Sequence, residues 1–358
     1  MFGVTWPAVP PPQNIIFILY CIATYVANKT QKRILKAVFL KAVLTFVYAM
    51  AIIAVKCEVY MKRQKFSNNN KQLELYIWDE VENPKGVLKI THGMAEHSGR
   101  YDDFAGFLNS NGYIVVMNDL RGHGYTSDAD SLGYEEGDMY SNNVADQLAI
   151  IEYCNNTYKL PLFFMGHSYG SFVTQRVIQH NPNVKGFILS GSNYIKGLQY
   201  SLCRIIAKNM CKRKGGSYPA ELIAKMSFSQ YDKKFEGTGN WLSSDRQQVE
   251  KYNGDSMCGF ICSANFYRTF MEGIRVLYDK KQFDMGVADK PLLIFSGDHD
   301  PVGEFGKGVR KLYEFYIKLG FSNVSLQLYP NGRHEMLNEV NKEEVYNDVL
   351  KWLEEYNK

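Results

Sequence analysis

From residue 71 onward, short apolar runs alternate along the chain with segments whose apolar residues recur at helical spacing. Runs of about four to eight apolar residues, bounded by turn residues, are typical of strands buried in a sheet. The predicted strands are 73–78, 87–91, 113–117, 162–165, 184–190, 291–296 and 324–329. The predicted helices are 101–108, 144–153, the segment after Ser171, about 305–319 and about 341–356. This alternation predicts a mostly parallel central sheet with helices on both faces.

The alternation stops between Ser192 and about Lys290. Residues 193–288 hold aromatic and apolar stretches and glycine-rich turns, without a regular succession of strands and helices. An insertion of this size between two core strands predicts a helical cap over the mouth of the sheet. The insertion also contains a basic cluster, for which a solvated cap helix is the simpler explanation and contact with an anionic headgroup or membrane surface the alternative. The cluster consists of Lys208, Lys212, Arg213 and Lys214.

The first 60 residues form a hydrophobic and basic head that precedes the predicted α/β domain, residues 61–358. Its apolar segments are 15–27, which is short for a bilayer core, and 37–55, which only Lys41 interrupts. Three hypotheses stay open: a membrane anchor of one or two helices, an amphipathic hairpin lying on the membrane, or upstream sequence before a natural start at Met61. A cleavable signal peptide is not expected, because no positive charge precedes the first apolar segment.

Charge and cysteine content narrow the function classes. Residues 1–60 carry six basic side chains and one acidic side chain, so the rest of the chain is almost neutral and gives no argument for nucleic-acid binding. The seven cysteines form no C-x-x-C pair and no metal-finger spacing, which is typical of reduced thiols in a cytoplasmic setting. His92, Glu96 and His97 lack the H-E-x-x-H spacing of a helical metal site, so neither a metal nor a cofactor is predicted.

Residues 166–170, Gly-His-Ser-Tyr-Gly, have the form G-x-S-x-G and lie between a predicted strand and a predicted helix. This context predicts a tight turn that lifts Ser168 above the sheet edge, at the positive end of the helix. The glycines have a steric explanation, because side chains at 166 and 170 would collide with the neighbouring strand and helix. We therefore predict that Ser168 is a catalytic nucleophile.

A serine nucleophile needs a base, and the base needs a carboxylate that orients it. On a parallel sheet both should follow later strands, in the order serine, acid, histidine. Asp300 follows the first strand after the insertion, and His334 follows the next strand. Asp298 and His299 lie in the same loop as Asp300 and are the alternatives. Asp300 is favoured because it lies deeper in the loop, directly before a Pro-Val turn, whereas His299 follows a strand at which an acid is expected.

An oxyanion hole needs two backbone N–H donors, which stabilise the negative charge that develops on a substrate oxygen. One donor should be the amide of Tyr169, directly after the nucleophile. The other should come from the loop after strand 87–91, where Met94 is the natural supplier. The Met94 and Tyr169 amides are therefore the predicted oxyanion hole.

Four loop motifs follow one another in the chain: HGMAEHSGRY at 92–101, DLRGHG at 119–124, GHSYGS at 166–171 and HEMLNE at 334–339. Together they closely resemble the monoacylglycerol lipase and bacterial lysophospholipase group of α/β-hydrolases. In the insertion, WLSSD at 241–245 and DSMCGF at 255–260 also look like bacterial members. The resemblance covers about residues 66–356 and implies an α/β-hydrolase fold with an inserted helical cap that lines an acyl tunnel and can dip into a membrane. Carried over by position, it implies the same catalytic residues, Ser168, Asp300 and His334, and the same oxyanion donors, Met94 and Tyr169.

We interpret the chain as a serine carboxylic-ester hydrolase that acts through an acyl-enzyme on single-chain lipids, either a monoacylglycerol or a lysophospholipid. A peptidase or amidase on the same fold is the first alternative, and a non-catalytic binding protein is the second. The expected partners are the lipid ester and a membrane surface, reached through the cap or residues 15–55; no nucleic acid is expected. The catalytic domain is expected in the cytoplasm, with membrane association through the N-terminal segment left open, and the sequence indicates no oligomeric state.

Overall fold

The computed structural model of the protein describes residues 61–235 and 240–357, apart from the side chains at 199, 227–230 and 232. The three hypotheses about the hydrophobic head concern residues 1–60, which lie outside the described residues. In the two described ranges, no helix is both long enough and apolar enough to span a membrane.

Eight strands and nine α-helices form within the described residues. The strands are β1 (Lys62–Asn68), β2 (Lys71–Trp78), β3 (Gly86–Thr91), β4 (Tyr113–Asn118), β5 (Leu162–His167), β6 (Gly186–Ser190), β7 (Leu292–Gly297) and β8 (Val324–Tyr329). The α-helices are α1 (Asp102–Ser110), α2 (Met139–Tyr158), α3 (Tyr169–Ile178), α4 (Leu198–Lys214), α5 (Glu221–Lys233), α6 (Arg246–Gly254), α7 (Ala264–Leu277), α8 (Lys307–Leu319) and α9 (Lys342–Tyr356). Every predicted strand and helix is present, although α2 is longer at both ends than predicted.

The described strands form one sheet in the order β1-β2-β4-β3-β5-β6-β7-β8. The pairs β1·β2 and β2·β4 are antiparallel, and every pair from β4 to β8 is parallel. The predicted mostly parallel sheet is therefore confirmed. The sequence analysis missed β1, because this edge strand is polar and largely exposed and has no apolar run to reveal it.

Apolar side chains on both faces of the sheet form the core. On one face, α1 and α9 cover the strands through residues such as Phe104 and Trp352. On the other face, α2, α3 and α8 cover them through residues such as Ile150, Phe172 and Leu312. The prediction of helices on both faces is therefore confirmed.

The parallel strands bring their carboxyl ends to one edge of the sheet, where the loops after β3, β5, β7 and β8 meet. Helices α4 to α7 are inserted between β6 and β7, and α7 packs against both α4 and α2. The insertion has the helical character that the sequence predicts for a cap, and it supplies part of the wall of the cavity described below.

Candidate active site

The turn between β5 and α3 holds Ser168 in a strained backbone conformation. Its φ is 51° and its ψ is −120°, outside the regions that residues with a side chain favour. The Ser168 amide donates to the Ser190 carbonyl oxygen at 2.9 Å, and the Ser171 hydroxyl donates to the Ser168 carbonyl oxygen at 2.6 Å. Strain of this kind persists only where surrounding bonds hold it, and it clusters at functional sites.

Two glycines make the turn sterically possible. An added Cβ at Gly170 would lie 2.3 Å from the carbonyl oxygen of Thr91 in β3. An added Cβ at Gly166 would lie 2.2 Å from Oγ1 of Thr174 in α3. The predicted collision with the neighbouring strand and helix is therefore confirmed.

His334 lies between Ser168 and Asp300, although the three residues are far apart in the sequence. His334 Nε2 is 2.8 Å from Ser168 Oγ, and His334 Nδ1 is 3.0 Å from Asp300 Oδ2. With this geometry the Ser168 hydroxyl donates to Nε2 while Nδ1–H donates to the carboxylate. The structure thus brings together the three residues that were predicted as nucleophile, base and acid.

Burial and hydrogen bonding set the charge states of Asp300 and His334, whose side chains are both buried. Burial raises the pKa of Asp300, but His334 and hydrogen bonds from Ser296 and Val302 outweigh it, so the pKa lies below its usual value. Burial lowers the pKa of His334, but the Asp300 carboxylate more than compensates and the net pKa is raised. Asp300 is therefore ionised, and it stabilises the protonated form of His334.

Ser168, His334 and Asp300 form a hydrogen-bonded relay. Asp298 and His299, the two alternatives in the Asp300 loop, lie outside it. Asp298 accepts a hydrogen bond from the Asn331 amide at 2.7 Å, so it ties the loop to the turn after β8. His299 is exposed, and its amide donates to the Gly332 carbonyl oxygen at 2.9 Å. Both residues thus have structural explanations.

The loop after β3 approaches Ser168 closely, since an added Cβ at Gly93 would lie 3.1 Å from Ser168 Cβ. Met94 follows in this loop, Tyr169 begins α3, and both residues line the same cavity as Ser168. Within the described residues, neither the Met94 amide nor the Tyr169 amide donates a hydrogen bond. This placement agrees with the predicted oxyanion hole, whose role stays a prediction.

His97, Asp255 and Cys258 form a cluster whose potential ligand atoms lie within 4.8 Å of one another. The bonding of His97 argues against a metal ion there. His97 Nδ1 accepts from the Gly99 amide at 3.2 Å, so Nε2 carries the proton and donates to Asp255 Oδ2 at 2.8 Å. A metal ligand would need Nε2 without its proton. We therefore assign the cluster to the contact between the β3 loop and the cap.

Sequence reasoning missed an ionic network beside the relay. Arg100 donates to the two carboxylate oxygens of Glu335 at 2.8 and 2.7 Å, and to Glu96 at 2.7 Å. Glu335 directly follows His334, and Glu96 lies in the loop after β3. The sequence shows only the four-residue spacing of Glu96 and Arg100, which is typical of ion pairs in a helical turn. The pairing with Glu335 spans 235 positions and leaves no signal in the sequence.

The cap is bonded to the loop that follows β8. The Arg333 guanidinium donates to the carbonyl oxygens of Asn240 at 2.5 Å and Ser243 at 3.2 Å. The Glu335 amide donates to the Leu242 carbonyl oxygen at 2.8 Å. The WLSSD motif of the cap therefore has a structural role, because it holds the loop in which the predicted base lies.

A cavity of about 410 Å³ adjoins Ser168 and His334. Its walls come from the loop after β3, from the turn at the start of α3 and from the cap, and they are mostly apolar. The apolar side chains in the lining include Phe172, Ile195, Phe260, Phe270 and Met271. A cavity of this size and character fits an apolar chain whose reacting group lies at Ser168.

Residues 82–341 match the protein family described as serine aminopeptidase, S33. The chain belongs to this family. The matched range includes the turn at Ser168, the loop that holds Asp300 and the loop that holds His334, so the family match contains every part of the relay.

Curated relatives are similar to the chain over most of their own length. A monoglyceride lipase homolog of monkeypox virus is 23% identical over 290 residues, which cover 81% of this chain and 95% of the relative. A phospholipase of Bacillus subtilis is 24% identical over 285 residues, which cover 79% of this chain and 100% of the relative. Mouse monoglyceride lipase is 24% identical over 277 residues, which cover 76% of this chain and 82% of the relative. The resemblance to the monoacylglycerol lipase and lysophospholipase group is therefore confirmed.

Solved structures establish the fold. A carboxyl esterase from Bacillus coagulans has a TM-score of 0.73 at 23% identity, over 83% of this chain and 99% of the esterase. A soluble variant of a monoglyceride lipase from Saccharomyces cerevisiae has a TM-score of 0.67 at 22% identity, over 84% and 98%. An epoxide hydrolase from Vigna radiata has a TM-score of 0.56 at 17% identity, over 83% and 98%. The α/β-hydrolase fold is confirmed, and the epoxide hydrolase shows that this fold alone does not set the reaction.

Proposed function

We propose that the protein is a serine hydrolase that cleaves the ester bond of a neutral single-chain lipid, a monoacylglycerol, through an acyl-enzyme on Ser168. The observation that carries this proposal is the hydrogen-bonded relay from Ser168 through His334 to Asp300. A carboxylic-ester hydrolase that acts on lipids also has the support of the lipases and the phospholipase among the relatives.

In the first half of the proposed reaction, His334 Nε2 takes the proton of Ser168 Oγ as this oxygen attacks the ester carbonyl carbon. The Met94 and Tyr169 amides stabilise the negative charge that develops on the carbonyl oxygen. His334 then donates the proton to the glycerol oxygen, which leaves as an alcohol, and the acyl group stays on Ser168. In the second half, His334 deprotonates a water molecule, which attacks the acyl carbonyl carbon. His334 then returns the proton to Ser168 Oγ as the bond to the acyl group breaks and the fatty acid leaves.

The charge of the cavity lining supports a neutral headgroup. The described part of the lining contains no lysine or arginine, so it offers no cationic partner of that kind for the phosphate of a lysophospholipid. Its carboxylates are Glu96 and Glu335, and both are ion-paired with Arg100. Removing the uncharged hydroxyl groups of a glycerol ester from water costs less than removing a charged headgroup that gains no cationic partner.

The same lining argues against the aminopeptidase activity that the family description names. An aminopeptidase must hold the ammonium group of its substrate, which calls for a carboxylate that is not already engaged by another cation. Glu96 and Glu335 are the carboxylates in the described lining, and Arg100 occupies both. An ester substrate is therefore the stronger proposal for this chain.

We also propose that the cap, residues 193–288 of a hydrolase domain at 61–358, contacts the lipid surface from which the substrate comes. Helix α4 exposes Leu198, Leu202 and Ile205, and α5 exposes Leu222 and Met226. These residues recur at intervals of three or four positions, so each helix presents an apolar stripe. Exposed apolar stripes beside a substrate cavity are typical of surfaces that bind membranes or partners.

Labelling with a fluorophosphonate probe tests the nucleophile, and a substrate panel tests the bond and the headgroup. We expect the probe to label the wild-type chain and not Ser168→Ala, because only an activated serine attacks phosphorus at a useful rate. We expect turnover of a monoacylglycerol to exceed that of lysophosphatidylcholine and of an aminoacyl amide with a matched chain.

Four outcomes would contradict these expectations. An unlabelled wild-type chain would favour the non-catalytic binding protein, and equal labelling of Ser168→Ala would place the nucleophile elsewhere. Preference for the amide would favour the peptidase alternative, and preference for the lysophospholipid would overturn the argument from the lining charge.

A further inference from the structure

Arg100 is a cation whose side chain is only 10% exposed, and it joins three separate parts of the site. Its guanidinium forms a two-pronged ion pair with Glu335 and a third hydrogen bond with Glu96. The ring of Tyr252 lies over the guanidinium, 4.8 Å from its central carbon. Planar bidentate pairs of this kind fix orientation as well as distance, which a lysine cannot do.

The carboxylate of Glu96 connects Arg100 to the loop that carries the Met94 amide. Glu96 Oε1 accepts hydrogen bonds from the Gly93 amide at 2.5 Å and from the Tyr101 hydroxyl at 3.0 Å. These bonds hold the backbone on the N-terminal side of Met94. The position of one proposed oxyanion donor therefore depends on Glu96, and Glu96 in turn is held by Arg100.

The other two contacts of Arg100 reach the His334 loop and the cap. Glu335 is the residue after His334, so the ion pair fixes the backbone beside the proposed base. Tyr252 belongs to α6 of the cap, and its hydroxyl donates to the Ala95 carbonyl oxygen at 3.0 Å. One guanidinium thus sets the relative positions of the oxyanion loop, the histidine loop and the cap.

The network also contributes charge. Burial would raise the pKa of Glu335, but Arg100 outweighs it and holds the pKa at about 2, so Glu335 is ionised. Burial and the charge of Glu335 raise the pKa of Glu96, and Arg100 and the Gly93 amide offset part of this rise. The three hydrogen bonds that Glu96 accepts, from Arg100, the Gly93 amide and the Tyr101 hydroxyl, favour its ionised form. Two carboxylates and one guanidinium leave one net negative charge beside the base. The charged groups that raise the pKa of His334 are Asp300, Glu335 and Glu96, and the Arg100 cation opposes them. The adjacent His167 is neutral, because burial keeps its pKa at about 3.

We propose that Arg100 is a positioning residue for catalysis, and that the Glu335 it holds is a second carboxylate, after Asp300, that stabilises protonated His334. This inference rests on the proposed hydrolase function. If it is correct, substitutions in the network lower turnover. If the ion pair were purely structural, they would lower stability alone.

The test compares Arg100→Lys and Glu335→Gln with the matched control Arg121→Lys in the full chain. Arg121 is also buried and also bridges two carboxylates, Asp146 at 2.7 Å and Glu135 at 3.0 Å, but neither it nor its partners line the cavity. Each variant is assayed with a short soluble ester for kcat, KM and the pH profile of kcat/KM. Thermal unfolding, fluorophosphonate labelling and Ser168→Ala accompany these measurements.

We expect Arg100→Lys to lower kcat by about 10- to 100-fold, because a shift of about 1 Å in catalytic groups has costs of that order. KM should change by less than about threefold, since Arg100 itself does not line the cavity. Glu335→Gln should move the acidic limb of the pH profile to lower pH, because the base loses a nearby negative charge and deprotonates more readily. Arg121→Lys should lower the unfolding temperature without changing kcat or the acidic limb of the pH profile.

Two results would overturn the inference while leaving the proposed function intact. One is an Arg100→Lys variant that behaves like Arg121→Lys, with lower stability and unchanged kcat. The other is a Glu335→Gln variant whose acidic limb coincides with that of the wild type. An inactive, unlabelled wild-type chain would instead contradict the proposed function itself.

Discussion

At the scale of single residues, two aspartates two positions apart in the loop after β7 have different surroundings. Asp300 is fully buried and accepts from Ser296, Val302 and His334, whereas Asp298 accepts from the Asn331 amide near the surface. The sequence predicted this difference from the Pro-Val turn after Asp300, and the Val302 amide of that turn does bond Asp300 Oδ1 at 2.8 Å. The choice between Asp298 and Asp300 was possible from the sequence because the turn that distinguishes them is formed by the residues directly after Asp300.

We predict that Asp300→Asn lowers kcat by roughly 10³- to 10⁴-fold, because the amide no longer holds His334 in the tautomer that accepts the Ser168 proton. The His334 pKa is raised partly by Asp300, so wild-type activity should fall as the pH drops through a value above that of an ordinary histidine. In the variant this limb should move to lower pH. Steady-state kinetics on a soluble ester across the pH range gives both quantities.

Asp298→Asn is the matched control, since it makes the same chemical change two residues away. We expect its kcat to stay within about twofold of the wild type, as for other substitutions outside the site. Equal losses in the two variants would show that the loop as a whole, and not the Asp300 carboxylate, supports activity.

At the scale of elements, strands buried on both faces were the easiest to predict. β3, β5 and β7 are apolar runs bounded by turns, and the structure places them within one or two residues of the predicted limits. The edge strand β1 was missed because its pairing with β2 is made by backbone groups, which no side-chain pattern reports. A strand that is buried on both faces shows an apolar run in the sequence, whereas the position of an edge strand depends on tertiary structure.

Strand β3 contains one residue that the apolar pattern does not explain, the fully buried Lys89. Its Nζ donates to the Ile90 carbonyl oxygen at 2.7 Å, to Gln147 Oε1 at 2.7 Å and to Asn118 Oδ1 at 3.0 Å, all uncharged acceptors. Burial without a carboxylate partner lowers the pKa of Lys89 to about 7. In the unfolded chain the pKa of a lysine is about 10.4.

We predict that Lys89 makes stability depend on pH. Between about pH 7 and 10 the unfolded chain binds the proton that folded Lys89 has lost, so the free energy of unfolding should rise by up to about 1.4 kcal/mol per pH unit. Below about pH 7 both states are protonated and this contribution is constant. Urea unfolding at several pH values should show that Lys89→Met lacks the rise, whatever its effect on absolute stability. Lys318→Met, at a side chain that is 74% exposed, should keep the wild-type slope; a slope unchanged in Lys89→Met would contradict the prediction.

At the scale of the whole molecule, the parts of the site that follow strand ends could be predicted, and the parts that link loops could not. Ser168, Asp300 and His334 each follow a core strand, and parallel strands must bring these ends to one edge. Arg100 is different, because it acts through Glu335 on a loop far along the chain, and only the folded chain brings the two together. The cap was predicted as an insertion, but its contacts with the two site loops required the structure.

The cap also leads to a prediction about the molecule at a lipid surface. Leu202 and Ile205 on α4 are 49% and 52% exposed, and neither lines the cavity. We predict that the double variant Leu202→Asn, Ile205→Asn hydrolyses monoacylglycerol in phosphatidylcholine vesicles about 30-fold more slowly, because burying each side chain in lipid contributes on the order of 1 kcal/mol. Turnover of a short soluble ester and the unfolding temperature should stay unchanged.

Ile317→Asn, at another exposed apolar position on α8, is the control and should act on both substrates as the wild type does. Since every variant keeps residues 1–60, a difference between the substrates reports the cap, and equal turnover of the vesicle substrate by all three chains would show that the cap does not contact the membrane during catalysis.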